Sequence, residues 1–246
     1  MDLNTHLETH HAGQSAKYIK NIIFGGLDGI ITTFSIIAAA VGAQLEQRTI
    51  IILSIANLFA DAISMGVGEY ISSKYENIYI NSEYQKEEDE YNNNLSSESE
   101  ELIELYTRDG LSPEDSEIIV NILTSKPEYK STFLKYMVKM ELGLDIPDKD
   151  FNIKKAGFIT GLSFTGFGFI PILFYLIFYG TSYQNYTIQF LVICIVTILS
   201  LILLGIIQAH ITKQNKIKNS ITFALSGILA ATTAFLIGYG LELAIN

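Results

Sequence analysis

The chain has 246 residues, 49% of them apolar, and a formal net charge of -10, with a mean hydropathy of +0.30. That hydropathy is high for an ordinary soluble domain and directs attention to membrane-spanning segments. The acidity excludes nucleic acid as a partner, because phosphates need a basic surface. The single cysteine, Cys194, offers neither a disulfide framework nor a thiolate metal site.

Residues 1–18 form a polar N-terminal tail with His6, His10 and His11, too polar to be read as a cleavable signal. Such terminal imidazoles can collect metal but are more often incidental. Five apolar stretches follow, from Ile19 to Ala43, Ile50 to Ser72, Ala156 to Tyr179, Thr187 to Ala209 and Ser220 to Ala244. Each reaches the ~20 residues that cross a hydrocarbon core at 1.5 Å per residue. The chain therefore divides into residues 1–18, spans one and two over 19–72, an acidic insert over 73–150, and spans three to five over 151–246. The fold class is all-α: a polytopic membrane protein with five transmembrane helices and a cytoplasmic helical insert that binds metal.

Charge sets the expected orientation. Lys17 and Lys20 precede the first span, Lys74 follows the second, Lys154 and Lys155 precede the third, and Lys213, Lys216 and Lys218 lie between the fourth and fifth. The opposite side carries only Arg48. The positive-inside rule then puts the N-terminus and the insert in the cytoplasm and the C-terminus in a lumen. Glycines crowd the first span near Asp28, and Gly157 and Gly161 make a small-xxx-small pair in the third, as close helix packing requires. Pro171 removes a backbone hydrogen bond inside the third span, and a kink is expected there.

Asp28 sits well inside the first span, where an ionised carboxylate is costly unless paired, hydrated or metal-bound. In the second span Asp61, Met65 and Glu69 recur at spacing four and so share one helical face, which Asn57 extends. Carboxylate oxygens with one thioether suit Fe(II) or Mn(II) better than Mg(II) or Ca(II). Snorkelling toward a headgroup boundary is the ordinary alternative for Asp61 and Glu69, and core packing for Met65.

The insert, from Lys74 to Asp150, holds 19 Asp and Glu against 8 Lys and Arg. Helix is expected to continue from the second span to about residue 92. A second helix runs from about Glu98 to Thr107, and a third from Pro113 behind a capping Ser112 to about Leu123. A fourth opens at Pro127 and ends near Gly143. Leu102, Ile103, Leu105, Ile118, Ile119, Ile122, Leu123, Phe133, Leu134 and Leu142 are the expected core. Glu87 and Glu90 are three apart, as are Glu98 and Glu101, while Met137 and Glu141 are four apart; each pair can face one way from its helix. Paired carboxylates on neighbouring helices build metal sites in bundles, and a solvated acidic surface is the alternative. The insert has no His, which argues against a di-iron oxidase and for a protein that is not an enzyme.

Taken together, Gly25-Gly26-Leu27-Asp28-Gly29, the run Ser64-Met65-Gly66-Val67-Gly68-Glu69-Tyr70, the acidic insert and Pro171 resemble the vacuolar iron transporter family over nearly the whole chain. Leu27 departs from the Asn common there, and Asp61 from a position that often carries a small residue. The resemblance implies a homodimeric, proton-coupled exporter of Fe2+ from the cytoplasm into a vacuole, or into the endoplasmic reticulum or another acidic vesicle. Asp28, Met65 and Glu69 would line the path, with Asp61 beside them. Glu87, Glu90, Glu98, Glu101, Met137 and Glu141 would bind metal in the insert. No resident cofactor is expected: the partners are the transported Fe2+, with Mn2+, Co2+ and Zn2+ as further cargoes, protons, lipid and a second copy of the chain. A broader Mn2+/Fe2+ transporter and a membrane-anchored metal sensor are the alternative readings.

Overall fold

A computed structural model describes residues 17–147, 151–180 and 185–245; His6, His10 and His11 lie outside the described residues. Among these residues every regular element is helical. They are α1 (Ile19–Gly42), α2 (Gln47–Asn93), α3 (Leu95–Arg108), α4 (Pro113–Thr124), α5 (Lys130–Leu142), α6 (Ile153–Tyr179), α7 (Tyr186–Ile211) and α8 (Lys216–Ile245), and a 3-10 turn at Pro127–Tyr129 precedes α5. Helices α1, α2, α6, α7 and α8 are each long and apolar enough to cross a membrane. Helix α6 continues through the buried Pro171 without a break.

The chain separates into two compact units. One is built from the chain up to Tyr70 and from Ile153 onward, and the other spans Ile71–Asn152. Helix α2, 47 residues long, supplies its first part to the span unit and its remainder to the insert.

In the span unit α1 is the most buried helix and packs chiefly against α6 and α8. The approach is close because glycines stand at the crossings. A Cβ on Gly29 would collide with the carbonyl oxygen of Phe164, and one on Gly157 with that of Gly66. Lipid tails are as apolar as leucine, so association of spans relies on such contact and on interhelical hydrogen bonds. The main core combines Phe34 and Ile37 of α1, Leu58 and Ala62 of α2, Phe164 and Ile172 of α6 and Ile193 of α7. The turn after α1 uses Gln44 in a left-handed conformation (φ 54°). Asn185 caps α7 by accepting from the Ile188 N–H at 3.2 Å.

Local signals set the insert's helix ends. Asn94 caps α3, so that helix begins three residues ahead of the expected Glu98. The Ser112 hydroxyl accepts from the Asp115 N–H at 3.1 Å with Pro113 at the first helical position of α4. Gly143 closes α5 at φ 68°, where a side chain would be strained. The core holds Leu102, Leu105, Val120, Phe133, Leu134 and Met137, with Tyr91 of α2 edge-on to Phe133 at 5.1 Å.

Four expected core residues lie outside this cluster: Ile118 and Ile122 are 58% and 56% exposed, and Ile119 and Leu142 are half-buried. Helix α4 instead buries Ser116 and Val120, the former accepting from the Thr107 hydroxyl of α3 at 3.2 Å. Residues two apart on a helix point about 200° away from each other, so seating 116 and 120 turns 118 and 122 outward.

Gly29→Ala should lower stability by roughly 1–3 kcal/mol through overpacking against a backbone that cannot yield. Gly166→Ala, where an added Cβ meets nothing within 4 Å, should be neutral or mildly stabilising. Thermal unfolding of the two variants in detergent checks the contrast.

Candidate functional site

Two sets of carboxylates stand out, one in each unit. In the span unit Asp61, Met65 and Glu69 are all half-buried, as their shared face on α2 requires, and Met65 packs against the main core. Asp28 of α1 is also half-buried. The Asp61 carboxylate lies within electrostatic range of it, so α1 and α2 bring these two acids toward one another.

Each acid takes its hydrogen bond from a neutral group. Thr32 Oγ1, one turn on, stands 3.5 Å from Asp28 Oδ1, and the Asn57 amide donates to Asp61 Oδ2. Asn21 Nδ2 donates to Glu69 Oε1 at 2.9 Å. A neutral donor steadies a carboxylate without cancelling its charge, which leaves that charge for a cation.

In the insert, Glu87 and Glu90 of α2 and Glu98 of α3 each bring one carboxylate oxygen within 4.8 Å of the other two. Glu87 and Glu98 are 5% and 6% exposed, and Oε2 of each is buried without a hydrogen-bond partner. Two ionised carboxylates at such a separation repel by roughly 3–4 kcal/mol at an effective dielectric of about 20. That repulsion, added to desolvation, is enough to retain a proton. Burial first, then the charges of Glu141 and Glu90, pushes Glu87 up to about 8. Burial also raises Glu98, with Glu90, Glu101 and Glu141 as its charged neighbours.

Burial and the charge of Glu101 raise Glu141 of α5, while its hydrogen bond with Glu87 acts the other way. Glu87 and Glu141 therefore act on each other directly and titrate as a pair. All five expected glutamates of the insert therefore fall within one another's field. Met137 is fully buried in the insert's apolar core, one turn from Glu141 on α5.

Glu83 is not among the glutamates that the sequence pairs for metal binding. Its side chain is only 14% exposed and pairs with Lys86 at 2.6 Å, and its charge reaches Glu141. The missed signal is the row Glu83, Glu87, Glu90, at spacings of four and three on one helix face. Nothing in the sequence marks Asn21 or Thr160 either. Asn21 stands two turns before Asp28, on the same face of α1 as Asp28 and Thr32.

Buried carboxylates with orphaned oxygens, converging from two helices, can hold a hard or borderline divalent cation in place of their proton. A five-span α-helical membrane protein with acids inside its spans and a clustered acidic insert belongs to the ion-handling membrane proteins by site chemistry. The particular family follows from comparison of sequences: residues 19–239 match the model of the VIT family, and the chain belongs to that family. It is 38% identical to a vacuolar iron transporter of Plasmodium falciparum (isolate 3D7), over 98% of this chain and 88% of the relative. It is 35% identical to one of Toxoplasma gondii (strain ATCC 50861 / VEG), over 96% and 78%. Vacuolar iron transporter 1 of Arabidopsis thaliana is 28% identical, over 95% and 89%. The relatives are named as transporters, not enzymes.

The raised glutamates give a signed pH dependence. Glu87 binds a proton more tightly folded than unfolded, so its contribution is fully present below the unfolded value of about 4.5 and is lost as pH rises through about 8. Metal-free protein should therefore melt lower in its insert as pH climbs across that window. Divalent cations bind the ionised form, so the stabilisation by Mn2+ or Fe2+ should grow over the same range. Titration calorimetry near pH 7 in buffers of different ionisation enthalpy should detect protons released on binding.

Proposed function

We propose that this chain carries Fe2+ from the cytoplasm into a vacuole or another acidic store in exchange for protons. The observation that carries the reading is the set of carboxylates within the spans, at Asp28, Asp61 and Glu69, held by hydroxyl and amide donors rather than by cations. A structural ion pair would have used up their charge; these acids keep it for a passing ion. The names of the relatives supply the metal.

In this reading the insert is the cytoplasmic collector. Its negative field raises the local concentration of divalent ions, and Glu87, Glu90, Glu98, Glu101, Glu141 and Met137 hold them, with Glu83 at the margin. The ion then moves to Asp28, Met65 and Glu69. Protons from an acidic lumen compete for the same oxygens, favour release there and return to the cytoplasm on the reverse step. Lysines around the first, third and fifth spans orient the N-terminus and insert to the cytoplasm and the C-terminus to the lumen.

A second copy completes the path. Ala60, Ser64 and Gly68 form an exposed line of small residues on α2, beside Asp61, Met65 and Glu69, and a Cβ on Gly68 would meet nothing within 4 Å. Small residues at spacing four are the surface on which two spans approach closely. The path acids of two protomers would face each other across that seam.

The test is reconstitution in proteoliposomes, following Fe2+ entry and internal pH together. Iron and proton movements should run in opposite directions, and Asp28→Ala should reduce the iron flux at least about tenfold, the scale of one lost charged contact. Full flux in Asp28→Ala would end the reading. The double variant Glu87→Gln with Glu98→Gln should mainly raise the half-saturating Fe2+ concentration. Gly68→Leu should shift the detergent-solubilised protein from dimer to monomer in light scattering, with flux falling in parallel.

A further inference from the structure

Asn21 is a polar side chain at the start of α1, 4% exposed, and all of its donor capacity is spent. Its amide nitrogen donates to Glu69 Oε1 on α2 at 2.9 Å and to Thr160 Oγ1 on α6 at 2.9 Å. Thr160, fully buried, sends its own hydroxyl hydrogen to the carbonyl oxygen of Ala156 at 3.0 Å. The direction of the chain is thereby fixed. With its hydrogen committed to Ala156, Thr160 can only accept from Asn21, and a flipped amide would set its oxygen against both the Glu69 carboxylate and the Thr160 lone pair.

The anchor cannot drift. One turn on, a Cβ at Gly25 would stand 2.5 Å from the carbonyl oxygen of Thr160, and the Ser163 hydroxyl donates to the carbonyl oxygen of Ile22 at 2.6 Å. These contacts hold α1 against α6 within the turn that follows Asn21, so the amide presented to Glu69 is tied to the helix pair. Glutamate has three rotatable side-chain bonds and would otherwise lose conformational freedom each time it met an ion.

We propose that Asn21 is a positioning residue for Glu69: anchored through Thr160 to the α6 backbone, it holds Oε1 and leaves Oε2 as the oxygen offered to the divalent cation. The inference rests on Glu69 belonging to the transport path. Its physical content is preorganisation. The charge-assisted bond fixes the rotamer before the ion arrives, and removing the donor raises the ion concentration needed without removing the ligand.

The experiment uses the full chain in proteoliposomes with Fe2+ as the probe. Asn21→Leu keeps the side chain's bulk and deletes the donor; the half-saturating Fe2+ concentration should rise about tenfold, with the maximal rate much less affected. Thr160→Val removes only the anchor and should give a smaller rise in the same direction. In metal-free protein the infrared carboxylate band of Glu69, identified by its loss in Glu69→Gln, should shift in Asn21→Leu, a change that a purely structural role would not produce. Metal stoichiometry at the insert's glutamates should stay as in the unaltered chain, which reports intact folding. Where Asn21→Leu does not assemble, Asn21→Ser shortens the donor without added bulk and is read in its place.

A half-saturating concentration within twofold of the unaltered chain, or an unmoved Glu69 band, overturns the proposal. Should Glu69→Gln itself transport normally, the assignment of Glu69 to the path fails. The proposal then falls with it, while the band still shows whether the hydrogen bond exists. Normal Asn21→Leu transport beside a crippled Glu69→Gln leaves the path reading standing and removes Asn21 from it.

Discussion

Withdrawing a carboxylate from water is unfavourable unless a proton, a donor or a cation replaces the lost solvation, and this protein does it in two places. Between the spans the replacement is a single neutral donor for each acid: Thr32 for Asp28, Asn57 for Asp61 and Asn21 for Glu69. In the insert it is a raised proton affinity: burial and neighbouring glutamates push Glu87, Glu98 and Glu141 upward, and Glu87 and Glu98 each have a buried oxygen with no hydrogen-bond partner. Both arrangements are incomplete in the same sense. Under the proposed function, each leaves negative charge for a divalent ion to satisfy.

The rest of the structure serves to hold those acids at fixed separations. Glycines at the α1–α6 and α2–α6 crossings let backbones meet, which makes the floor under Asp28 and Glu69 stiff. A long α2 carries Asp61, Met65 and Glu69 in one unit and Glu83, Glu87 and Glu90 in the other. Capped, short helices α3 to α5 close over the second group and bring Glu98, Glu101 and Glu141 to it. Packing of Leu102, Val120, Phe133 and Met137 beneath them offsets part of the repulsion that concentrated charge imposes on the insert.

The proposed exchange of a metal for protons needs no further chemistry than this. A group whose proton affinity is raised by burial and by like charges is one whose metal affinity depends steeply on pH. Such a group therefore loads where protons are scarce and unloads where they are plentiful.

Much of this was legible in the sequence. Length and hydropathy determined the five spans, since a hydrocarbon core admits little else, and period-four spacing determined that Asp61, Met65 and Glu69 share a face. Capping residues at Ser112 and Gly143 determined helix ends, because those signals are local. Tertiary structure alone decided which face of α4 turned inward, leaving Ile118 and Ile122 outside, because hydrophobicity does not say which of two apolar stripes finds a neighbour. It alone brought Glu83 to the edge of the cluster and bound Asn21 to Glu69 and Thr160 across positions far apart in the chain. Contacts between helices depend on rotation and crossing geometry, and no single helix's sequence carries that information.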